Sequence, residues 1–287
     1  MRSMTRKMGV WIFSISLLGI SSLWAKQEGF LQIKGSDTMV NLGQAWAEVF
    51  MQKYPDSSIA ITGGGSGTGI AAILNGTCDI AQSSREVKQK ELDEAKKQGF
   101  EIIQIQAGID ALAVVVSPAN PVGQLTIAQL SDIFTGKITD WSQLAGQKGA
   151  ILVLSRERNS GTHVYFLEHV VRRGNAGGPE EFAPFVLMMP SSQAIIAEVA
   201  QNSNAIGYAG MGYVNEKVKA VAVAKDEKDL FVLPQLESAK KGQYPIARPL
   251  WLLIRGQPQG WVKTFVDFVL SDEGQKIVQQ MDFVPLK

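Results

Sequence analysis

Ser58-Ile59-Ala60-Ile61-Thr62-Gly63-Gly64-Gly65-Ser66-Gly67-Thr68-Gly69-Ile70-Ala71-Ala72-Ile73-Leu74 is the stretch that decides the fold class. Its first residues read as a strand over Ser58–Thr62, the glycine-rich run Gly63–Gly69 as a loop, and the apolar stretch from about Ile70 to Leu74 as a helix. Strand, loop and helix in that order are the unit of an α/β fold with a mostly parallel sheet, whose functional loops sit at the carboxyl ends of the strands. Upstream, Leu31–Ile33 is a short strand. Ser36 or Asp37 then caps a helix over Met39–Tyr54, where Met39, Leu42, Trp46, Val49 and Phe50 recur at helical spacing. Downstream, Asp79–Ala81 is a strand, Glu86–Gln98 a charged helix and Ala111–Val116 a buried strand. The turn-rich Ser117–Gly123 marks a first crossing into a second α/β unit, made of Ile127–Phe134, Val153–Leu154, Thr162–Val171, Ser192–Ala200 and Ala205–Tyr208. Tyr244–Pro249 reads as a second linker. The strand Leu250–Ile254, the helix Trp261–Leu270 and a Ser271-capped helix to about Gln280 close the chain. The expected organisation is a leader over 1–25, one domain from 26–110 with 250–287, and a second from 111–249.

A length of 287 residues, 45% of them hydrophobic, is enough for two domains with real cores and excludes disorder. Lys and Arg number 28 against 27 Asp and Glu, so bulk charge argues for neither nucleic acid nor a membrane surface as partner. One cysteine, Cys78, excludes an intrachain disulfide, and with only His163 and His169 a His/Cys zinc site is not expected; no metal or cofactor is called for. Arg2, Arg6 and Lys7 followed by uncharged Met8–Ala25 form a secretory signal, with cleavage expected after Ala25. Removing three basic and no acidic residues leaves 25 against 27, a mature charge of about −2. With no cysteine near the cleavage point to carry a lipid, the mature chain is expected free in an extracytoplasmic space, retained by a periplasm where there is one.

Several loops place hydroxyls and backbone N–H groups at a helix start, where orphan donors and the positive end of the helix dipole suit an anion. They are Gly35-Ser36-Asp37-Thr38, Gly63–Gly69 with Ser66 and Gly67, Ala81-Gln82-Ser83-Ser84-Arg85, and Arg156-Glu157-Arg158-Asn159-Ser160-Gly161-Thr162. Each alone also reads as an ordinary capped turn. The glycine run lacks the Gly-Lys-Ser/Thr ending of a nucleotide loop, and its loose GxGxxA match has no acidic partner at the end of a following strand. Ser160 and His163 could be nucleophile and base of a phosphatase or Ser hydrolase, but no orienting acid accompanies them. Together the loops describe a cleft that binds an oxyanion without chemistry.

These same segments, with Leu130–Gly136, Thr139-Asp140-Trp141, Ala205-Ile206-Gly207-Tyr208, Gly274-Gln275-Lys276 and Phe283–Leu286, resemble the PstS-type phosphate-binding proteins of bacterial ABC importers. The resemblance runs from about Phe30 to the C-terminus. It implies a type II periplasmic-binding fold, two α/β domains joined by two crossovers, closing as a monomer on inorganic phosphate for delivery to the importer's membrane subunits. By motif position it puts Ser36, Thr38, Ser66 and Ser84 on one wall and Arg156, Ser160, Gly161 and Thr162 on the other. Asp37, Gly67 and Arg85 belong to the same loops and complete the candidate set. Many members carry an acidic residue at Ser84 that accepts the proton of hydrogen phosphate and rejects sulfate. Here either Asp37 takes that role or it only caps the helix, leaving the site open to other oxyanions. A sensing or adhesion protein would share this site.

Overall fold

Alternation of buried and half-buried residues along Phe30–Gly35 (β1) turns Leu31 and Ile33 into one core. β1 pairs in parallel with Ser58–Thr62 (β2) and Ile80–Ser83 (β3), with the helices Val40–Lys53 (α1) and Ser66–Leu74 (α2) supplying the connections and Gln89–Lys97 (α3) following β3. A computed structural model describes residues 29–144 and 148–287. The expected leader lies outside them. Helix α2 begins at Ser66, well before Ile70, so the second half of the glycine run is helix and not loop.

The chain leaves this half on a 15-residue strand, Ile102–Val116 (β4). Then come Gln124–Thr126 (β5), Ile127–Phe134 (α4), Leu152–Arg156 (β6), Gly161–Phe166 (α5, continued by a π-helical turn over Leu167–Val171), Leu187–Met189 (β7), Ser192–Gln201 (α6) and Ala205–Gly210 (β8). Short strands Lys219–Ala220 (β9) and Ala222–Ala224 (β10) and the helix Leu236–Lys240 (α7) precede the return strand Ala247–Arg255 (β11) and the helices Gly260–Leu270 (α8) and Asp272–Gln280 (α9). Ser271 caps α9 by accepting from the Gly274 N–H, as its position predicted.

The sheet order is β2-β1-β3-β11-β4-β8-β6-β7, with β9 on β4 and β10 paired separately with β5. Pairing is parallel within each α/β unit, and antiparallel where the chain goes out on β4 and comes back on β11. β4 pairs with β11 up to Ala111 and with β8 from Leu112 onward, so it passes from one half of the sheet to the other without a break. The segment read as a linker, Tyr244–Pro249, therefore runs into β11. Pro249 is accommodated because β3 covers β11 only from Trp251, leaving the proline a neighbour on one side alone. A register shift between Leu250 and Trp251 lies just beyond it.

Each half has its own core. One gathers Trp46, Phe50, Phe265 and Phe268, with the Phe50 and Phe265 rings 5.2 Å apart and nearly perpendicular. The other centres on Phe134, Phe166 and Tyr208, where Phe166 stacks on Tyr208 at 3.9 Å. Rigid cores on both sides leave the helix starts between them as the surfaces that meet.

Candidate functional site

Strand β1 ends at Gly35, and a single 3-10 turn, Asp37–Met39, leads into α1, placing Ser36 and Thr38 at the strand's carboxyl end. Gly65 adopts φ +96°, a conformation favoured by glycine, and starts α2 at Ser66. Strand β3 delivers Ser84. Ser36 Oγ donates to Ser84 Oγ at 3.0 Å, Ser66 and Ser84 hydroxyls lie 3.3 Å apart, and the Ser84 N–H donates to Ser66 Oγ. From the other half, Ser160 caps α5 by accepting from the Thr162 and His163 N–H groups. The Thr162 hydroxyl meets that of Thr38 at 2.9 Å, joining the two walls. None of Ser36, Thr38, Ser66, Ser84, Ser160 and Thr162 exposes more than 2% of its surface. Gly161 occupies the first helical position of α5, where the backbone N–H has no intrahelical carbonyl to meet.

Arg156, at the end of β6, is buried, and its guanidinium donates to Met189 O, Pro190 O and Ser192 Oγ. Its ion-pair partner is Asp37 across the cleft, at 3.1 Å, and the same Asp37 oxygen accepts from the Ser192 N–H at 2.8 Å. Tyr213 adds a hydroxyl to the Asp37 carbonyl. Asp37 thus orients Arg156 and ties the two halves together. Of the carboxylate that the sequence offered as a proton acceptor, one oxygen, Oδ2, is held by two donors.

Gly67 and Arg85 also take other partners. The Gly67 N–H donates to Asn159 O and Asn159 Nδ2 to Gly64 O, so these residues join the two halves beside the hydroxyl cluster. Arg85 forks onto Glu91 at 2.8 and 2.9 Å, donates to Glu86 O and lines a cavity of about 530 Å³ with Tyr165, Trp251 and Arg248. Burial pushes the Glu91 carboxyl up, but the Arg85 fork and the Lys88 N–H prevail and hold it below its usual range. Glu91 sits in the first turn of α3, where an acid is favoured, and from there it draws Arg85 away from the hydroxyl cluster.

His163 is not aimed at Ser160. Its Nδ1 lies 3.3 Å from Ser155 Oγ, its ring packs on Phe182, and burial pushes its pKa down to about 4. Ser155 in turn pairs with the Tyr208 hydroxyl, 2.5 Å away. With Ser160 acting as helix cap and His163 neutral and turned elsewhere, the geometry of a nucleophile and its base is missing.

Two residues at this site carried no functional reading from sequence. Asp110 on β4 and Arg248 on β11 face each other in the ladder, with Arg248 Nη2 and Nε donating to Asp110 Oδ2 at 2.9 and 3.2 Å. Arg248 Nη2 also donates to Thr162 Oγ1 at 2.9 Å and lies 3.4 Å from Thr38 Oγ1. A signal was present: each charge interrupts an apolar run, and a charge that folds inward must find a partner. Among the described residues no group of three His, Cys, Asp or Glu could hold a metal ion, and no helix is long and apolar enough to cross a membrane.

A family model described as the PBP superfamily domain matches residues 21–273. The chain is 33% identical to the phosphate-binding protein PstS of Pseudomonas aeruginosa, over 90% of its own length and 83% of that protein's. With the phosphate-binding protein PstS of Bacillus subtilis it shares 30% identity over 91% and 82%. Among solved structures it is similar to a phosphate ABC transporter substrate-binding protein from Clostridium perfringens with bound phosphate, at a TM-score of 0.80 and 33% identity, over 90% of this chain and 100% of that one. An ABC-type phosphate transport receptor from Vibrio cholerae aligns at a TM-score of 0.70 and 29% identity, over 88% and 99%.

Proposed function

The chain belongs to the PBP superfamily, among its PstS-type phosphate-binding proteins, and on that premise we propose that it captures inorganic phosphate between its two halves and delivers it to an ABC importer. Its fold is the type II periplasmic-binding fold, and it is a binding protein and not an enzyme. One observation carries the phosphate reading. Hydroxyls from both halves, Thr38 with Thr162 and Ser36 with Ser66 and Ser84, converge in a buried cluster at three helix starts, beside a buried arginine. Oriented O–H and N–H donors with a forked cation match the oxygens of a tetrahedral oxyanion.

In this reading Ser36, Thr38, Ser66 and Ser84 form one wall, and Ser160, the Gly161 N–H, Thr162 and Arg156 the other. Asp37 acts through Arg156, Gly67 through its contact with Asn159, and Arg85 lies outside the ligand shell. Phosphate replaces the hydroxyl-to-hydroxyl contacts with bonds to its own oxygens, and because it touches both walls it favours the closed arrangement. The domains divide as 26–110 with 250–287 and 111–249, a division supported by the separate cores and by the hand-over of β4 at Ala111. The leader 1–25 is removed, and the mature chain works outside the cytoplasm as a monomer without nucleic acid.

Calorimetry on phosphate-stripped protein with phosphate, arsenate, sulfate and molybdate tests the reading. Saturable heat from phosphate, with sulfate silent, is the expected result. Heat from sulfate or molybdate and none from phosphate would give the cleft to another oxyanion.

A further inference from the structure

The Asp110–Arg248 pair stands at the place where both crossing strands pass between the halves. Arg248 is 1% exposed and Asp110 not at all, and the second Asp110 oxygen accepts the Met211 N–H. Burying an ion pair gains little over an apolar pair of the same volume, so stability alone is a weak reason for this one. Its reach is the informative feature. The same guanidinium that grips Asp110 donates to Thr162 of one wall and comes within 3.4 Å of the Thr38 hydroxyl of the other. Its remaining nitrogen, Nη1, is buried and has no hydrogen-bond partner. In a planar fork whose Nε and Nη2 face Asp110, Nη1 points away from the carboxylate. A buried N–H with no acceptor is costly and is normally matched by a ligand or water.

We infer that Arg248, anchored by Asp110, is a second cation of the phosphate site, contacting the bound anion beside the Thr38–Thr162 hydroxyl pair. This rests on the phosphate reading above. Arg156 then approaches the anion from one half of the protein and Arg248 from the crossing strands, so the anion touches the segment that joins the halves. The two guanidinium groups repel one another, which adds to the effect of burial in lowering the Arg156 pKa, and Asp37 opposes both. A dianion between the two cations relieves that repulsion.

The test is calorimetry on phosphate-stripped protein, comparing wild type, Asp110→Asn and the double variant Asp110→Asn/Arg248→Gln, which keeps a neutral hydrogen-bonding pair. The double variant is expected to bind phosphate about 100-fold more weakly than wild type, as loss of a charged donor to a buried anion predicts. Asp110→Asn leaves the Arg248 charge uncompensated and should turn sulfate from silent into a ligand with saturable heat. Phosphate affinity in the double variant within about threefold of wild type, far less than the loss of such a donor causes, would overturn the role. If the double variant does not fold, Asp110→Asn decides alone: no gain in sulfate affinity overturns the inference. Wild type that gives no heat with phosphate would instead remove the phosphate reading itself, and this inference with it.

Discussion

At the scale of single residues, burial and partners matter more than side-chain type. His163 shows this through its charge. An unfolded histidine gains its proton near pH 6.5, the folded one only at about 4, so between those values protons bind the unfolded chain preferentially and stability falls as pH falls. His163→Asn should remove that part of the slope, about 3 kcal/mol over the window. Urea midpoints of both proteins at pH 7 and pH 4.5 would show it, and equal slopes would mean that His163 is not held neutral. Asp37 is a second case. Because its carboxylate holds Arg156 and the Ser192 N–H, Asp37→Asn is expected to weaken phosphate binding by about tenfold while sulfate stays silent. A selective gain of sulfate affinity would restore Asp37 as the proton acceptor. Ser36, Thr38, Ser66, Ser84, Ser160 and Thr162 could be singled out from sequence only as a set, because each alone reads as an ordinary capped turn, and the structure does bring their hydroxyls together. The partners of Asp37 and Arg85 were not legible, since Ser192 lies 155 residues from Asp37 and Glu91 competes for Arg85 from inside a helix that reads as plain surface.

At the scale of elements, strand-then-helix order was readable and the ends of the elements much less so. Ser58–Thr62 and Ile127–Phe134 match their expected bounds because β-branched runs and a capping Thr126 mark them cleanly. The start of α2 was hidden, because Gly67 and Gly69 are weak helix formers and are retained there for close packing and not for propensity. Half of β4 was passed over, although Ile103, Ile105, Ala107 and Ile109 alternate with Gln104, Gln106, Gly108 and Asp110 in the period of a strand. The Pro249 in β11 made a crossing strand look like a linker. The beginning of α5 depends on one glycine. A methyl at Gly161 would come within 2.2 Å of Ser66 Oγ and 2.8 Å of Ser84 Oγ, both on the opposite wall. Gly161→Ala should therefore hold the cleft open and weaken phosphate binding by about 100-fold or more, while each half folds as before, because the clash exists only when the walls meet. Circular dichroism unchanged with binding lost is the expected pair of results. Binding retained at wild-type strength would show that the walls need not approach so closely.

At the scale of the whole molecule, two strands carry the chain between halves that meet apolarly where Val284 joins the second core, and around the hydroxyl cluster through polar contacts such as Thr38 with Thr162, Asp37 with Arg156 and Ser192, and Asn159 with Gly64 and Gly67. Contacts of this kind exchange readily with water, so the closed arrangement depends on what lies between the walls. The charge of the molecule points the same way. A net charge of +1 for the full chain becomes about −2 once the expected leader is removed, which would slightly repel an anion approaching from a distance. Attraction must come from buried, oriented groups that act only at contact. Raising the salt from about 0.1 M to about 1 M shortens the screening length from about 10 Å to about 3 Å and silences surface charges, but leaves donors inside a closed cleft nearly untouched. The dissociation constant for phosphate should change by less than about threefold across that range, measured in a non-coordinating chloride salt with the phosphate protonation state held fixed by pH. A weakening of tenfold or more would mean that exposed lysines and arginines supply the affinity, and that the hydroxyl cluster between the halves is a structural seam and not the ligand's seat.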